Sequence, residues 1–184
     1  MTRYNAIKTI MNSIDNDTVI VSNIGVPSKE TYASKDRPLN FYMLGSYTQA
    51  TPIGLGIALK TERNVVVIDG DGSLLGSSVL PVIVAENRKN LTIVCLDNGT
   101  FGSTGDQVTN AYAQVDIELI AKACGLGDTI KACGEKDITN AINERSEGTK
   151  FIHTVIKPGN SNSKNIPLSA TEIKNRFIFA MNRL

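Results

Sequence analysis

The chain has 184 residues, 41% of them hydrophobic and 20% charged, with a formal net charge of +1 and no tryptophan. Nineteen basic against 18 acidic side chains leave no cationic excess for a phosphate backbone, and three cysteines with one histidine supply too few soft ligands for a zinc or iron–sulfur centre. The start, Met1 to Lys8, lacks the apolar stretch of a signal peptide, and no apolar run approaches the ~20 residues of a bilayer span. One domain over 1–184 is therefore expected, cytoplasmic, with neither nucleic acid nor membrane as its partner.

In chain order, Ile7, Ile10, Met11 and Ile14 share a helical face, and Thr18 to Ser22 is a short β-branched run that predicts a buried strand. Residues 23–28 read as a loop and Phe41 to Leu44 as a short extended segment ending at Gly45. A buried helix is expected around Pro52 to Leu59, with Gly54 and Gly56 permitting close packing. Strands at 65–69, 91–96, 129–132 and 151–156 then alternate with helices at 77–87, 116–124 and 136–145, and a long polar loop follows the strand at 91–96. Ser169-x-x-Glu172 is a capping box for a last helix carrying Ile173, Phe177, Ile178 and Met181. The strands are continuous apolar runs rather than alternating ones, which predicts an α/β fold: a parallel sheet with helices on both faces.

The strand at 65–69 runs into Asp69-Gly70-Asp71-Gly72-Ser73, at the carboxyl end where such sheets bind ligands. A dinucleotide fingerprint would need glycine at Leu75, and a P-loop would need a later Gly-Lys; neither is present. A carboxylate about 4 Å from a phosphate charge is repelled by roughly 4 kcal/mol at an effective dielectric near 20, so Asp71 meets phosphate only through a cation. Mg²⁺ fits, taking a few protein oxygens together with phosphate and water. Its other ligands are expected on the neighbouring strand end, Asp97-Asn98-Gly99-Thr100, as the Asn98 amide oxygen and the Thr100 backbone carbonyl.

Gly70-Asp71-Gly72-Ser73 with Asp97-Asn98 resembles the G-D-G-[SA] … N-N signature of the thiamine-diphosphate enzymes, with Asp97 in place of the first asparagine. Phe41 to Ser46, followed by Ile53 to Leu59, resembles the family segment that contacts the aminopyrimidine, although Tyr47-Thr48 replaces the end of its usual G-S-M-G. The resemblance implies that Gly70, Asp71, Gly72, Ser73, Asn98 and Thr100 hold diphosphate and Mg²⁺, with Asp71, Asn98 and Thr100 as the metal ligands. It further implies that Gly45 supports the aminopyrimidine through its carbonyl, with Ser46 and Tyr47 beside it.

Within that family the likeness is greatest to the sulfopyruvate decarboxylase β subunits and the corresponding half of phosphonopyruvate decarboxylases, and it includes Ser103-Thr104-Gly105 and Ile173 to Phe177. A chain of this length matches the two-subunit sulfopyruvate enzyme. This implies decarboxylation of a small anionic 2-oxo acid, 3-sulfopyruvate to sulfoacetaldehyde, towards coenzyme M. The catalytic glutamate would lie on a pyrimidine-binding α subunit, in a hetero-oligomer with at least two copies of each subunit. Four other readings stay open: a phosphonopyruvate decarboxylase, another split thiamine-diphosphate enzyme (a 2-oxoacid oxidoreductase or an acetohydroxyacid synthase), a cofactor-holding module without catalysis, and a haloacid-dehalogenase-like phosphatase using Asp69 and Asp71. His153 and Cys95 read as core residues and Lys157 as a surface lysine, while Ser103, Thr104 and Gln107 are candidates for substrate contact.

Overall fold

The computed structural model describes residues 1–76 and 78–183. In chain order the elements are α1 (Arg3–Ser13), β1 (Val19–Ser22), α2 (Val26–Ser34), β2 (Asn40–Tyr42), α3 (Ala50–Ala58), β3 (Val65–Gly70), α4 (Asp71–Leu75) and α5 (Leu80–Glu86). They continue with β4 (Leu91–Asp97), β5 (Thr100–Phe101), β6 (Gln107–Val108), α6 (Ile117–Ala123), β7 (Asp128–Lys131), α7 (Glu135–Asn143), β8 (Lys150–Val155) and α8 (Ala170–Met181).

Six strands form a parallel sheet in the order β2-β1-β3-β4-β8-β7. Alternate residues of the apolar strands feed two cores. Val19, Val65, Val67, Ile93 and Phe151 face α3, α5, α6 and α8, while Ile20, Val66, Ile68, Val94 and Ile152 face α1 and α7. Both faces are covered, so the runs need no polar alternation, and each large buried side chain contributes about 1.5–3 kcal/mol of transfer free energy. The chain leaves β1 for β2 on one side and leaves β3 for β4 on the other, so the crevice of this topology opens at the carboxyl ends of β1 and β3. No helix among the described residues is long and apolar enough to cross a membrane.

The expected elements are present with boundaries shifted by a few residues, and the start expected for α5 at Ser77 lies outside the described residues. Three elements depart from expectation. The stretch 23–28 is only partly loop, because α2 begins at Val26 with Pro27 in its first turn, where the absent N–H is not missed. The turn after β3 winds into α4 at Asp71. The long polar loop contains the antiparallel hairpin of β5 and β6, whose two-residue strands are too short to show a period. The capping box is formed: Ser169 Oγ accepts the Glu172 N–H at 3.3 Å and Glu172 Oε2 accepts the Ser169 N–H at 2.8 Å. Arg176 of α8 then donates to both carboxylate oxygens of Asp36 at 2.7 Å, fastening the last helix beside β2.

The two helix glycines of α3 differ. A Cβ on Gly54 would stand 2.1 Å from Val67 Cγ2 of β3, whereas one on Gly56 would meet nothing within 4 Å, so close packing rests on Gly54 alone. Gly54→Ala is expected to destabilise the chain by about 1–3 kcal/mol through overpacking, and Gly56→Ala to stabilise it by up to about 1 kcal/mol through helix propensity, both read from urea unfolding midpoints.

Candidate functional site

A cavity of about 380 Å³ opens at the carboxyl ends of β1, β3 and β4. Asn23 and Ile24 line it after β1, Gly70 to Ser73 after β3, and Asn98, Thr100 and Phe101 after β4. Each segment is there because a buried parallel strand ends at the same edge of the sheet, where its last residues emerge from the core.

Asp69, the acid of β3, borders the cavity but is buried with both carboxylate oxygens engaged: Thr51 Oγ1 of α3 donates to Oδ2 at 2.6 Å and the Gly70 N–H to Oδ1 at 2.9 Å. Burial pushes its carboxyl above the ordinary value, against those hydrogen bonds. A phosphatase nucleophile needs an accessible carboxylate oxygen, and the engagement of both Asp69 oxygens with near-complete burial speaks against the phosphatase reading. Asp71 is also buried, and burial followed by the negative charge of Asp97 raises its carboxyl, opposed by a short hydrogen bond from Thr109 Oγ1 and by the Gly72 N–H. The hairpin delivers Thr109, whose N–H bonds the Gly99 carbonyl at 2.9 Å.

Asn98 Nδ2 donates to Thr100 Oγ1 at 3.0 Å, which leaves Asn98 Oδ1 facing the Thr100 carbonyl oxygen at 2.9 Å and Asp71 Oδ1 at 3.2 Å. Its one hydrogen bond is a long one of 3.4 Å from the Thr100 N–H. Three oxygens so close repel one another unless the amide turns over to put its nitrogen between the two acceptors, or a cation sits among them. Neighbouring oxygens on an octahedral Mg²⁺ with bonds of 2.0–2.1 Å lie about 2.9 Å apart, and one carboxylate, one amide and one backbone carbonyl are hard donors of the kind it takes. The residues fit that ion.

Around this point, a Cβ on Gly72 would stand 2.4 Å from Phe101 Cε1 and 3.0 Å from the Tyr47 hydroxyl, so the bare backbone of Gly72 forms the cavity floor beneath two rings. Tyr47 and Phe101 pair edge to face at 6.4 Å between centroids. Burial and the charges of Asp71 and Asp69 push the Tyr47 phenol up. Ser73 Oγ is buried, near enough to Asp69 to favour its charge yet without a hydrogen-bond partner. Ser46 and Thr48 both hold left-handed backbone, with φ of 63° and 71°, which side chains other than glycine adopt at a cost.

The structure thus brings Tyr47, Gly70, Asp71, Gly72, Ser73, Asn98 and Thr100 to one cavity together with Ser103 and Thr104, whereas Gly45 and Ser46 line a separate depression beside β2 with Phe41 and Ile53. The sheet order accounts for this, because β1 stands between β2 and β3. Gln107 is held by Thr104 rather than by the cavity.

Sequence reasoning missed Thr109, Phe101, Asn23 and Arg3. Arg3 is the one basic side chain lining the cavity among the described residues. Its Nε pairs with buried Glu30 at 2.9 Å and its Nη2 donates to Asn160 Oδ1 at 2.7 Å, while Asn160 Nδ2 donates to the Gly102 carbonyl. Only the placement of Thr109 directly after a hairpin, or a 27-residue Arg3–Glu30 separation, could have marked them, and neither is a recognisable signal.

Residues 24–154 match the family described as thiamine pyrophosphate enzyme, C-terminal TPP binding domain, and the chain belongs to that family. It is 45% identical over 186 residues to sulfopyruvate decarboxylase subunit beta of Methanocaldococcus jannaschii, covering 98% of this chain and 97% of that one. It is 46% identical over 180 residues to the sulfopyruvate decarboxylase of Methanosarcina acetivorans, where the match covers 96% of this chain but 46% of the relative, so the chain spans about half that protein's length. Among solved structures, the thiamine diphosphate-dependent 4-hydroxybenzoylformate decarboxylase of Rhodococcus jostii RHA1 superposes with a TM-score of 0.74 at 18% identity, over 88% of this chain and 33% of that one, a likeness of fold.

Thr109→Val keeps the shape of the side chain and removes the donor from a buried carboxylate. It is expected to destabilise the chain by about 1–3 kcal/mol at neutral pH without added metal, measured by urea unfolding, and a change within error would remove Thr109 from the site.

Proposed function

We propose that this chain is a single cofactor-holding domain, the β subunit of a thiamine-diphosphate-dependent decarboxylase that converts 3-sulfopyruvate to sulfoacetaldehyde and CO₂, a step towards coenzyme M. The observation that carries the reading is the clustering of the Asp71 carboxylate, the Asn98 amide and the Thr100 carbonyl, with the amide 3.2 Å from Asp71 Oδ1 and 2.9 Å from the Thr100 carbonyl oxygen, in a chain that aligns with sulfopyruvate decarboxylase β subunits over almost their whole length.

Asp71, Asn98 and Thr100 would ligate Mg²⁺, and the cation would carry the diphosphate that Asp71 alone repels. The bare backbone of Gly72 lets Phe101 and Tyr47 pack closely beside the cavity, and the Ser73 hydroxyl and the Asn23 amide on its wall are donors for phosphate oxygens. When bound, thiamine diphosphate supplies the nucleophilic carbon and the electron sink on which a 2-oxo acid loses CO₂. Gly45 and Ser46 lie in the neighbouring depression beside β2, so Gly45 would meet the aminopyrimidine amine at its carbonyl only where the cofactor extends past Tyr47 out of the cavity. Ser103 and Thr104 present hydroxyls to an anionic substrate at the cavity rim.

Among the described residues lining the cavity there is no glutamate to hold a proton on the pyrimidine ring. That group is assigned to a pyrimidine-binding α subunit, and the assembly to a heteromer with at least two copies of each, since oligomers close by symmetry. A soluble anionic substrate and Mg²⁺ suit a cytoplasmic setting.

Thiamine diphosphate is expected to bind the purified chain with Mg²⁺ and at least about tenfold more weakly with chelator, and Asp71→Ala is expected to abolish the difference, as followed by calorimetry. Equal affinity under both conditions would overturn the cation bridge. The chain alone is expected to be silent towards 2-oxo acids and to gain decarboxylase activity with the α subunit. In that reconstituted pair sulfopyruvate should exceed phosphonopyruvate and pyruvate in kcat/KM. A preference for pyruvate, or acetolactate as product, would overturn the substrate assignment and leave the cofactor assignment standing.

A further inference from the structure

The departure from the family signature at Asp97 and the chain's one histidine meet in the structure. His153 is buried in β8 as the strand partner of Cys95, and its Nε2 lies 3.0 Å from Asp97 Oδ2. The second oxygen, Asp97 Oδ1, accepts the Gly99 N–H at 3.0 Å, across a turn in which Gly99 takes the left-handed φ of 66°. Asp97 therefore grips the turn with one oxygen and His153 with the other. The residues on either side of Gly99 are Asn98 and Thr100, and the Asn98 amide lies between the Thr100 carbonyl oxygen and Asp71 Oδ1.

On its far side the imidazole borders a second cavity of about 480 Å³, with Tyr112 and Gln114 on its wall. His153 Nδ1 is buried without a hydrogen bond, 3.8 Å from Asp116 Oδ1. Asp116 caps α6 by accepting the Leu119 N–H at 3.2 Å and pairs with Lys131. Asp97, Asp116 and Lys131 are the charged groups facing the ring among the described residues. Of the three acids at this sheet edge, Asp69, Asp71 and Asp97, only Asp97 has a basic side chain within hydrogen-bonding distance among the described residues, and it is His153.

We propose that His153 is a positioning residue for the cation loop. By donating from Nε2 to Asp97 it holds the carboxylate on the Gly99 N–H, and so fixes the turn that presents Asn98 Oδ1 and the Thr100 carbonyl to the cation. The loop-holding stands on geometry alone; its consequence for the metal rests on the proposed function. Partners that orient a metal loop through one intervening residue affect metal affinity by 10–100-fold. A role for His153 through charge alone has the opposite sign, because removing a cationic group beside the site would tighten cation binding.

The test uses the purified chain with His153→Leu, which fills the space without a donor, and His153→Gln, whose amide can still reach Asp97. Hydrogen exchange at the Gly99 amide and Mn²⁺ affinity in the presence of thiamine diphosphate, by electron paramagnetic resonance, are the readouts. His153→Leu should speed Gly99 exchange at least tenfold and weaken Mn²⁺ by about 10–100-fold, and His153→Gln should stay within about threefold of the parent on both. If His153→Leu does not fold, His153→Asn, too short to reach Asp97, takes its place with the same expectation. Parent-like exchange at Gly99, tighter Mn²⁺ binding, or equal losses in the glutamine and leucine variants would each overturn the inference. A parent chain that binds neither Mn²⁺ nor cofactor would overturn the proposed function instead, and Gly99 exchange would still decide the loop-holding role.

Discussion

Three carboxylates crowd the buried ends of two adjacent strands, and the surrounding structure is arranged around the cost of keeping them there. Asp69, Asp71 and Asp97 are all buried at the edge shared by β3 and β4. At an effective dielectric near 20, two such charges 4 Å apart repel by roughly 4 kcal/mol, a large part of the net stability of an ordinary domain. Their combined field reaches Cys95, whose thiol is pushed well up by burial and by all three acids.

Each acid is answered by a different element. Thr51 comes from α3, which lies against β3 because Gly54 lets it. Thr109 comes back from the β5–β6 hairpin, and His153 comes from β8 on the opposite side of β4. Asp71 alone of the three also faces the Asn98 amide, at 3.2 Å from its Oδ1, and it is there that the proposed cation would offset most charge. The proposed cation site and the stability of the sheet edge are thus two aspects of one electrostatic problem.

Much of this was legible in the sequence, for reasons particular residues make plain. The apolar runs at 65–69, 91–96 and 151–156 carry their own statement that both faces are covered, and the Gly-Asp-Gly-Ser and Asp-Asn pairs lie at strand ends where a parallel sheet brings them together. The helix at Val26–Ser34 escaped because Ser28, Lys29, Glu30 and Thr31 show no apolar period: its buried side is made of Ser28, Glu30 and Thr31, satisfied by Ser22 and Arg3 rather than by packing. His153 was read as a core residue, and its side chain is buried as such a residue would be. Its partner is 56 positions away, and only the adjacency of β4 and β8 makes them a pair.

The Arg3 contacts have a consequence for how the molecule assembles. Arg3 reaches Asn160 across 157 residues, Thr2 bridges to Lys157, and Asn160 holds Gly102 at the rim. Closing a loop of that length costs chain entropy that only previously formed structure can offset, so this wall cannot lead the folding of the chain. One wall of the cavity is thus made where the two ends of the chain meet, and it depends on the sheet that brings them together.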